Sequence, residues 1–436
     1  MIHTTSLEKI NNIIESDEFK EYLKNSRWFQ NKNEDINEIK IHDLCEFNNI
    51  NFLILNVITD SGNYLYYFPM IFNDEYDAVR SVNYAETIID LFNNNSELKC
   101  NKGKIKFIKN GNFKLKNGPF SQINAEQSNS SFIIKNIIVK NYRYLQNGEN
   151  PDVTMINELI KNGFYNVPEP FGHAFYESEC ERIYIINASR YIENSSDLWS
   201  YSLNKIKNML YNKNISDVND YINDLSKILG GITGRMHRAL YISREKDFLP
   251  EISDIKDFEM IIKETIENLR RSNLFDSDFI TFFNDRFHKI INDTDIKRIY
   301  KFRIHGDYHL GQVLISDKLY IIDFEGEPMR ALSERSQKSI PLRDVAGMIR
   351  SISYLINSFD FLSNDIDSME KNSMENFIES YKSSIKDIMD FQNDLIYIFL
   401  MQKASYELLY EIRNRPSWVN IPLNYIKKVY SNLRSC

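Results

Sequence analysis

FRIHGDYHLGQVLIS (302–316) and, one residue on, KLYIIDFEGEP (318–328) form the stretch on which the chain's organisation turns. Its apolar runs have the length and composition of short strands, a β-rich island over 302 to 323 within otherwise helical sequence. The polar residues these runs flank are ordered. Asp307 sits in His305-Gly306-Asp307-Tyr308-His309, Gln312 follows five residues later, and Asp323 closes the run Leu319 to Ile322 ahead of Phe324. An Asp alone in a loop is usually a turn or cap residue. The ordered combination HGDxHxxQ, then a strand ending in Asp eleven residues beyond the Gln, is too specific a pattern for chance.

Transfer of a phosphoryl group from ATP needs a carboxylate to orient and deprotonate the attacking hydroxyl, and ligands that hold magnesium against the phosphates. Asp307 and Gln312 have the separation found between base and amide metal ligand in kinase catalytic loops, and Asp323-Phe324-Glu325 stands where Asp-Phe-Gly would stand. An amide and a carboxylate are the oxygen donors a hard cation such as magnesium takes. The residues therefore predict Asp307 as base and Gln312 and Asp323 as magnesium ligands, with ATP and Mg2+ as cofactors. A rival reading makes His305 and His309 ligands of a transition metal beside Asp307, as in a metal-dependent hydrolase. On the phosphoryl-transfer reading His305 fixes the loop by hydrogen bonding, and His309 does the same or sits in the core.

Outward from the island, helix-period segments fill the second half at 197–211, 216–240, 254–272, 276–292, 367–390 and 392–413. The first half is strand-rich. NFLILNVI and YLYYFPMIF alternate with period two, and KIKFIK, SFIIK and NIIVKNY predict an antiparallel sheet broken by Asn110-Gly111 and Asn117-Gly118. A helix-like stretch from Pro151 to Asn162 precedes a further strand in ERIYIINASRYI.

The chain has 436 residues, more than one core accommodates, so at least two substructures are expected. A formal net charge of −8 argues against nucleic acid as the main partner. Cys45, Cys100, Cys180 and Cys436 show no CxxC pairing, which predicts neither a zinc site nor a disulfide framework and suggests a reducing cytoplasm. MIHTTSLEKINNIIESDEFK lacks the apolar run of a signal peptide, and Leu395 to Met401 is far short of the roughly 20 residues of a membrane span. A soluble, cytoplasmic protein with no membrane partner is the expectation.

HGDYHLGQVL, IIDFEGEP and PLRDVAGMIRS resemble the signature segments of the bacterial maltokinases, members of the aminoglycoside phosphotransferase-like kinases. SRWFQNK (26–32), EQSNSS (126–131), KNYRYLQNGENPD (140–152), LGGITGRMHRAL (229–240) and YELLYEIRNRPSWVNIPL (406–423) look similar too, so the resemblance runs from one end of the chain to the other. It implies an α+β, bilobal protein-kinase-like fold: an N-terminal cap over 1–95, a β-rich nucleotide-binding N-lobe over 96–193, and a mostly α-helical C-lobe over 194–436. The implied reaction is ATP plus maltose to ADP plus maltose 1-phosphate, for glycogen or α-glucan synthesis, with a trehalose-converting enzyme as a candidate partner. Related enzymes with much the same motifs act on glucosamine. A catalytically silent binding module and an antibiotic-modifying phosphotransferase are the other readings; the intact Asp307, Gln312 and Asp323 argue against the first, and the RPSW segment and cap leave the second incomplete.

By the same resemblance Lys140 meets the nucleotide phosphates, and Ser128, Ser130 and Ser131 form a phosphate loop without glycine. Arg190, Tyr191 and Ile192 join the lobes and line the adenine slot. Glu158 is the only acidic residue after Asp152 in the following helix-like stretch, whereas the resemblance places the acidic partner of Lys140 nearer Thr154. For the sugar, an aromatic face and planar hydrogen-bonding groups are wanted. Tyr406, Glu407, Tyr410, Glu411 and Trp418 offer both, the tyrosines and glutamates each spaced by four on a predicted helix. His305, Glu325 and Arg343 are further candidates for contact with the acceptor, with Asp344 and Glu327 close by in sequence.

Overall fold

NFLILNVI alternates less than it first reads, because its strand is covered on both faces. In the computed structural model, which describes residues 4–72, 76–111, 114–123, 129–211, 215–326 and 332–435, strands β1 (Ile36–Phe47), β2 (Ile50–Thr59) and β3 (Asn63–Met70) form an antiparallel meander. Helices α1 (Thr4–Ile14) and α2 (Asp17–Asn25) cover one face, packing Ile10, Ile14, Phe19 and Leu23 on Leu53, Leu55, Val57, Tyr66 and Phe68. Ser16 starts α2 by accepting the Phe19 N–H at 3.2 Å, an N-cap. The other face of β2 joins a second core. Phe52 and Ile54 meet Tyr84, Ile88 and Phe92 of α3 (Val82–Asn93), together with Phe107, Phe132, Val139 and Ile185 of a larger sheet.

That larger sheet has seven antiparallel strands in the order β4 (Glu97–Lys99), β5 (Lys104–Lys109), β10 (Pro170–Glu177), β11 (Arg182–Arg190), β8 (Ile137–Tyr142), β7 (Asn129–Ile134) and β6 (Phe120–Ile123). β9 (Tyr144–Leu145) leaves β8 to pair with β3, and α4 (Pro151–Lys161) follows it. Between β8 and β9, Arg143 is 1% exposed; its Nη2 donates to both carboxylate oxygens of Asp77 at 2.8 and 2.6 Å, and its guanidinium lies 4.8 Å from the Trp28 ring. Deleting either member would leave the other charge buried and unpaired, at about 3–5 kcal/mol.

Cys45 and Cys100 are joined by a disulfide across 55 residues, which corrects the expectation from their spacing. The pairing is tertiary. The Asn101 N–H donates to the Leu44 carbonyl, and the Asp43 carboxylate accepts the N–H groups of Asn101, Lys102 and Gly103, so the turn after β4 is tied to β1.

His173 on β10 lies against Phe175 and Tyr184, and its Nδ1 is buried with no hydrogen-bond partner. Burial, with Arg182 nearby, lowers its pKa to about 4. An unfolded histidine takes up its proton near pH 6.5, so between there and pH 4 the unfolded chain binds more protons and stability falls on acidification. At pH 5 this amounts to about 1–2 kcal/mol, discounted for partial exposure of the ring. Replacing His173 by Phe is expected to remove that part of the slope between pH 7 and 5 in denaturant melts; an unchanged slope would assign the acid sensitivity elsewhere.

The chain divides into two compact units, residues Met1–Ile156 with Pro168–Glu193 and Asn157–Val167 with Asn194–Cys436. The second is helical: α5 (Leu198–Tyr211), α6 (Ile215–Tyr241), α7 (Ile255–Ser272), α8 (Ser277–Asn292), α9 (Leu332–Arg335), α10 (Leu342–Asn357), α11 (Ser363–Ile385), α12 (Leu395–Asn414) and α13 (Asn420–Ser435). α6 and α11 touch backbone to backbone. A Cβ on Gly230 would come within 2.2 Å of the Phe377 carbonyl oxygen, and one on Gly234 within 2.9 Å of that of Tyr381. The strand island becomes a three-stranded sheet of β12 (Ser196–Asp197), β15 (Val313–Ile315) and β16 (Leu319–Ile321), while β13 (Glu251–Ile252) pairs with β14 (Tyr300–Lys301). α10 escapes a periodicity reading because it is buried nearly all round, from Leu342 to Ile356. Among the described residues no helix is long and apolar enough to cross a membrane.

Candidate active site

The segment between β14 and β15 carries Asp307, and one face of α10 holds it in place. Asp344, Gly347 and Ser351 are spaced three and four apart, so they share that face. The Asp344 carboxylate accepts the His305 N–H at 2.8 Å through Oδ2 and the Gly306 N–H at 2.9 Å through Oδ1. Gly347 lets the loop approach: a Cβ there would lie 2.7 Å from the Tyr308 carbonyl oxygen. Ser351 Oγ accepts the Leu310 N–H at 3.1 Å.

Asp344 is buried and itself held from behind. His237 of α6 lies with Nε2 3.2 Å from Asp344 Oδ2 and Nδ1 2.9 Å from the Tyr381 hydroxyl of α11. Burial pushes the Asp344 carboxyl up, but hydrogen bonding and charge from His237, the nearby His305 and the Gly306 N–H outweigh it, and the group ends below the usual carboxylate range.

Both loop histidines are used structurally. His305 Nδ1 accepts the Asp307 N–H at 3.3 Å, which leaves Nε2 to donate to the Ile322 carbonyl oxygen at 3.0 Å. His309 Nδ1 accepts the Gly311 N–H at 3.1 Å and caps the single turn Leu310–Gln312 that presents Gln312. Burial lowers the His309 pKa, favouring the neutral ring that this acceptor role needs. A transition-metal site on these two rings would break the contacts that shape the loop.

Gln312 and Asp323 meet. Gln312 Nε2 donates to Asp323 Oδ2 at 3.0 Å, and the Ile322 N–H donates to the Gln312 carbonyl at 3.0 Å. Asp323 lies just past β16 with φ +65, a left-handed conformation costing about 1 kcal/mol or more in a non-glycine residue. The turn aims its carboxylate back at Gln312 instead of continuing the strand.

Asp307 is 24% exposed, with Lys403 Nζ of α12 3.8 Å from its Oδ1. Beside it lies a small open recess lined by Glu264, Gly306, Tyr308, Arg343, Gly347, Phe399, Gln402, Lys403 and Tyr406. Arg343 and Tyr406 were expected from the sequence; Glu264, Gln402 and Lys403 were not, because only tertiary packing of α7 and α12 brings them there.

The C-terminal cluster splits by helix face. Tyr406 and Tyr410 are exposed. Glu407 and Glu411 turn inward to ion pairs. Glu407 Oε2 accepts from Arg350 Nε and Nη2 at 2.9 and 2.8 Å, and Glu411 takes Arg415 bidentately at 2.7 and 2.9 Å with the Tyr354 hydroxyl at 3.3 Å. Trp418 stacks on Tyr354 at 6.0 Å, and the Arg415 guanidinium sits 5.3 Å from both the Tyr410 and Trp418 rings. Glu325 faces Arg335 at 3.8 Å. Glu327 and Ser128 lie outside the described residues.

In the first unit, Lys140 on β8 pairs in register with Ser131 on β7. Its acidic partner is Asp152, in the first turn of α4, at 3.5 Å; the same oxygen accepts from the Tyr142 hydroxyl at 3.1 Å and Asn187 Nδ2 at 3.4 Å. Glu158 instead accepts from the Ser243 hydroxyl at 2.6 Å and Asn162 Nδ2 at 2.8 Å. Ser130 Oγ accepts from Arg143 Nε at 2.9 Å. At the end of β11 the N–H groups of Arg190 and Tyr191 donate to the carbonyls of Glu169 and Asn136, and Ile192 is buried.

A strand-rich first part and a helical second part, with a catalytic-type loop and hairpin in the second, define an α+β fold of the kinase-like class. It is shared with a solved glucosamine kinase in complex with glucosamine, ADP and inorganic phosphate: TM-score 0.72 over 90% of this chain and 94% of that one, at 16% identity. By sequence the chain is 22% identical to the glucosamine kinase of Streptacidiphilus jiangxiensis over 313 residues, 68% of this chain and 70% of that protein. It is 20% identical to the glucosamine kinase of Mycolicibacterium smegmatis over 358 residues, 78% and 86% of the two chains. No protein-family model matches the sequence.

Proposed function

We propose that this protein is an ATP- and magnesium-dependent sugar kinase and that its acceptor is glucosamine. The observation that carries the reading is the single loop-and-hairpin framework that presents Asp307 and joins Gln312 Nε2 to Asp323 Oδ2 at 3.0 Å. Asp307 accepts the proton of the acceptor hydroxyl as its oxygen bonds to the γ-phosphorus, the bond to the bridging oxygen breaks, and ADP leaves. Gln312 and Asp323 supply the oxygen donors for magnesium, which when bound neutralises charge on the phosphates. Lys140, steadied by Asp152, meets the nucleotide phosphates, with Ser131 beside it on β7. On this reading residues 1–95 are the cap, 96–193 the nucleotide lobe and 194–436 the acceptor lobe.

Support for glucosamine over maltose comes from the two curated relatives and the solved structure, all glucosamine kinases. Maltose stays as the second reading on the resemblance of HGDYHLGQVL and RPSWVNIPL to maltokinase segments. The test is ADP release from Mg-ATP with glucosamine, maltose, glucose and an aminoglycoside as acceptors. Turnover on glucosamine at least about 10-fold above the others in kcat/KM is expected, since a missing polar partner costs a built site more than about 1.4 kcal/mol. Turnover on maltose alone would replace the acceptor; turnover on none, with Mg-ATP still bound, would overturn the kinase reading.

A further inference from the structure

α12 delivers a cation to the carboxylate on which the proposed reaction depends. Lys403 Nζ lies 3.8 Å from Asp307 Oδ1, and among the described residues Asp307 is the one carboxylate within ion-pair distance of it. Both side chains are 24% exposed, so the pair is shielded enough for its charge to count and open enough for an acceptor to reach it.

Lys403 is not a loose surface lysine. Its helix is pinned on either side of it: Gln402 Nε2 donates to Glu264 Oε2 of α7 at 2.7 Å, and Glu407 is clamped by the buried Arg350 of α10. Its ammonium lies 5.5 Å from the Tyr406 ring centroid, over an aromatic face that favours a cation. α10, which carries the loop through Asp344, and α12, which carries Lys403, are thus locked together by the Arg350–Glu407 pair. The distance from Lys403 to Asp307 is set by the fold.

We propose that Lys403 is a positioning residue for phosphoryl transfer: it holds the Asp307 carboxylate in the orientation that meets the acceptor hydroxyl. The role rests on the reading of Asp307 as base. It also has a direction in time. Before transfer the ammonium is balanced by the Asp307 carboxylate; once Asp307 has taken the acceptor's proton it is neutral, and the positive charge left on Lys403 favours negative charge building up on the transferring phosphoryl group. The pair therefore keeps the recess near neutral before the reaction and favours the charge that develops during it.

The test uses the full-length protein and compares wild type, Lys403→Met, Lys403→Arg, Asp307→Asn and the double variant Asp307→Asn/Lys403→Met, with Mg-ATP and the best acceptor. Loss of an orienting contact is expected to lower kcat of Lys403→Met by about 10- to 100-fold. KM for ATP stays within about twofold, because the cation acts at the acceptor side. Lys403→Arg, which keeps the charge, restores most of the loss. In the Asp307→Asn background the Met substitution adds little, since a residue acting through Asp307 has nothing left to orient. Wild-type kcat in Lys403→Met, or a full multiplicative loss in the double variant, would overturn the role while leaving the kinase reading intact. An inactive wild type that still binds Mg-ATP would remove both. Melting temperatures within a few degrees of wild type for the Met and Arg variants separate these outcomes from misfolding.

Discussion

With Asp307 as the proposed base, Asp307→Asn is expected to lower kcat by about 100-fold or more and to leave KM for Mg-ATP near its wild-type value. Asn has the shape of Asp and keeps a hydrogen-bond acceptor, but it cannot take the proton of the attacking hydroxyl. The backbone around it is unaffected, because the loop is held by Asp344, His305 and Ser351 and not by the Asp307 side chain. The ion pair lost with Lys403 is long and partly exposed, so the stability change stays within about 1 kcal/mol. A paired measurement of initial rates and thermal unfolding checks both parts. A variant that turns over at near wild-type rate would show that the proton leaves by another route, and Asp307 would be demoted to a loop residue.

What the sequence disclosed about this site depended on how local each feature is. That Asp307, Gln312 and Asp323 share one loop and hairpin was legible because a turn of three residues and a two-stranded hairpin fix their relations within 17 positions. The partner of Lys140 was half legible. A helix-bound acid was sought near Thr154, but the first turn of α4 brings Asp152 to Lys140, and Tyr142 and Asn187 share its oxygen. Glu158 sits one and a half turns further along α4 and is taken by Ser243. Lys403, Gln402 and Glu264 were illegible, since nothing in their own segments distinguishes them from a solvated helix edge.

The same rule accounts for what was misplaced in the fold. The bond between Cys45 and Cys100 depends on β1 lying beside the turn after β4, and no spacing rule spans those 55 residues. Glu407 and Glu411 were read as one face with a choice between sugar and solvent; the structure gives them to Arg350 and Arg415, because a buried carboxylate needs a paired cation. α10 hid in plain sight. Its spacing Asp344, Gly347, Ser351 is a helical face made of one acid, one gap and one hydroxyl, a pattern legible once the loop it serves is known.

Asp344→Asn is therefore expected to damage the protein more than any exposed substitution at the site, at about 2–5 kcal/mol of stability. The carboxylate accepts two backbone N–H groups and faces His237 Nε2. An Asn offers one acceptor oxygen and turns an NH2 toward the remaining donors, so at least one buried N–H is left facing another. Turnover falls with it, because the displaced segment is His305–Gly306, one peptide from Asp307, and a shift of about 1 Å costs on the order of 100-fold. Since the Asp344 pKa is held below the usual range, its contribution is complete at neutral pH and erodes only as the pH falls from the unfolded value, about 4, through the lower folded one. The variant is accordingly destabilised at pH 7 and converges on wild type in acid. Ser351→Ala, which frees the single N–H of Leu310, should cost only about 1 kcal/mol. Denaturant melts of both variants at pH 7 and well below pH 4, alongside kcat at pH 7, order these effects. Equal losses from the two substitutions would mean that the loop is held by its own turns and that α10 merely packs against it.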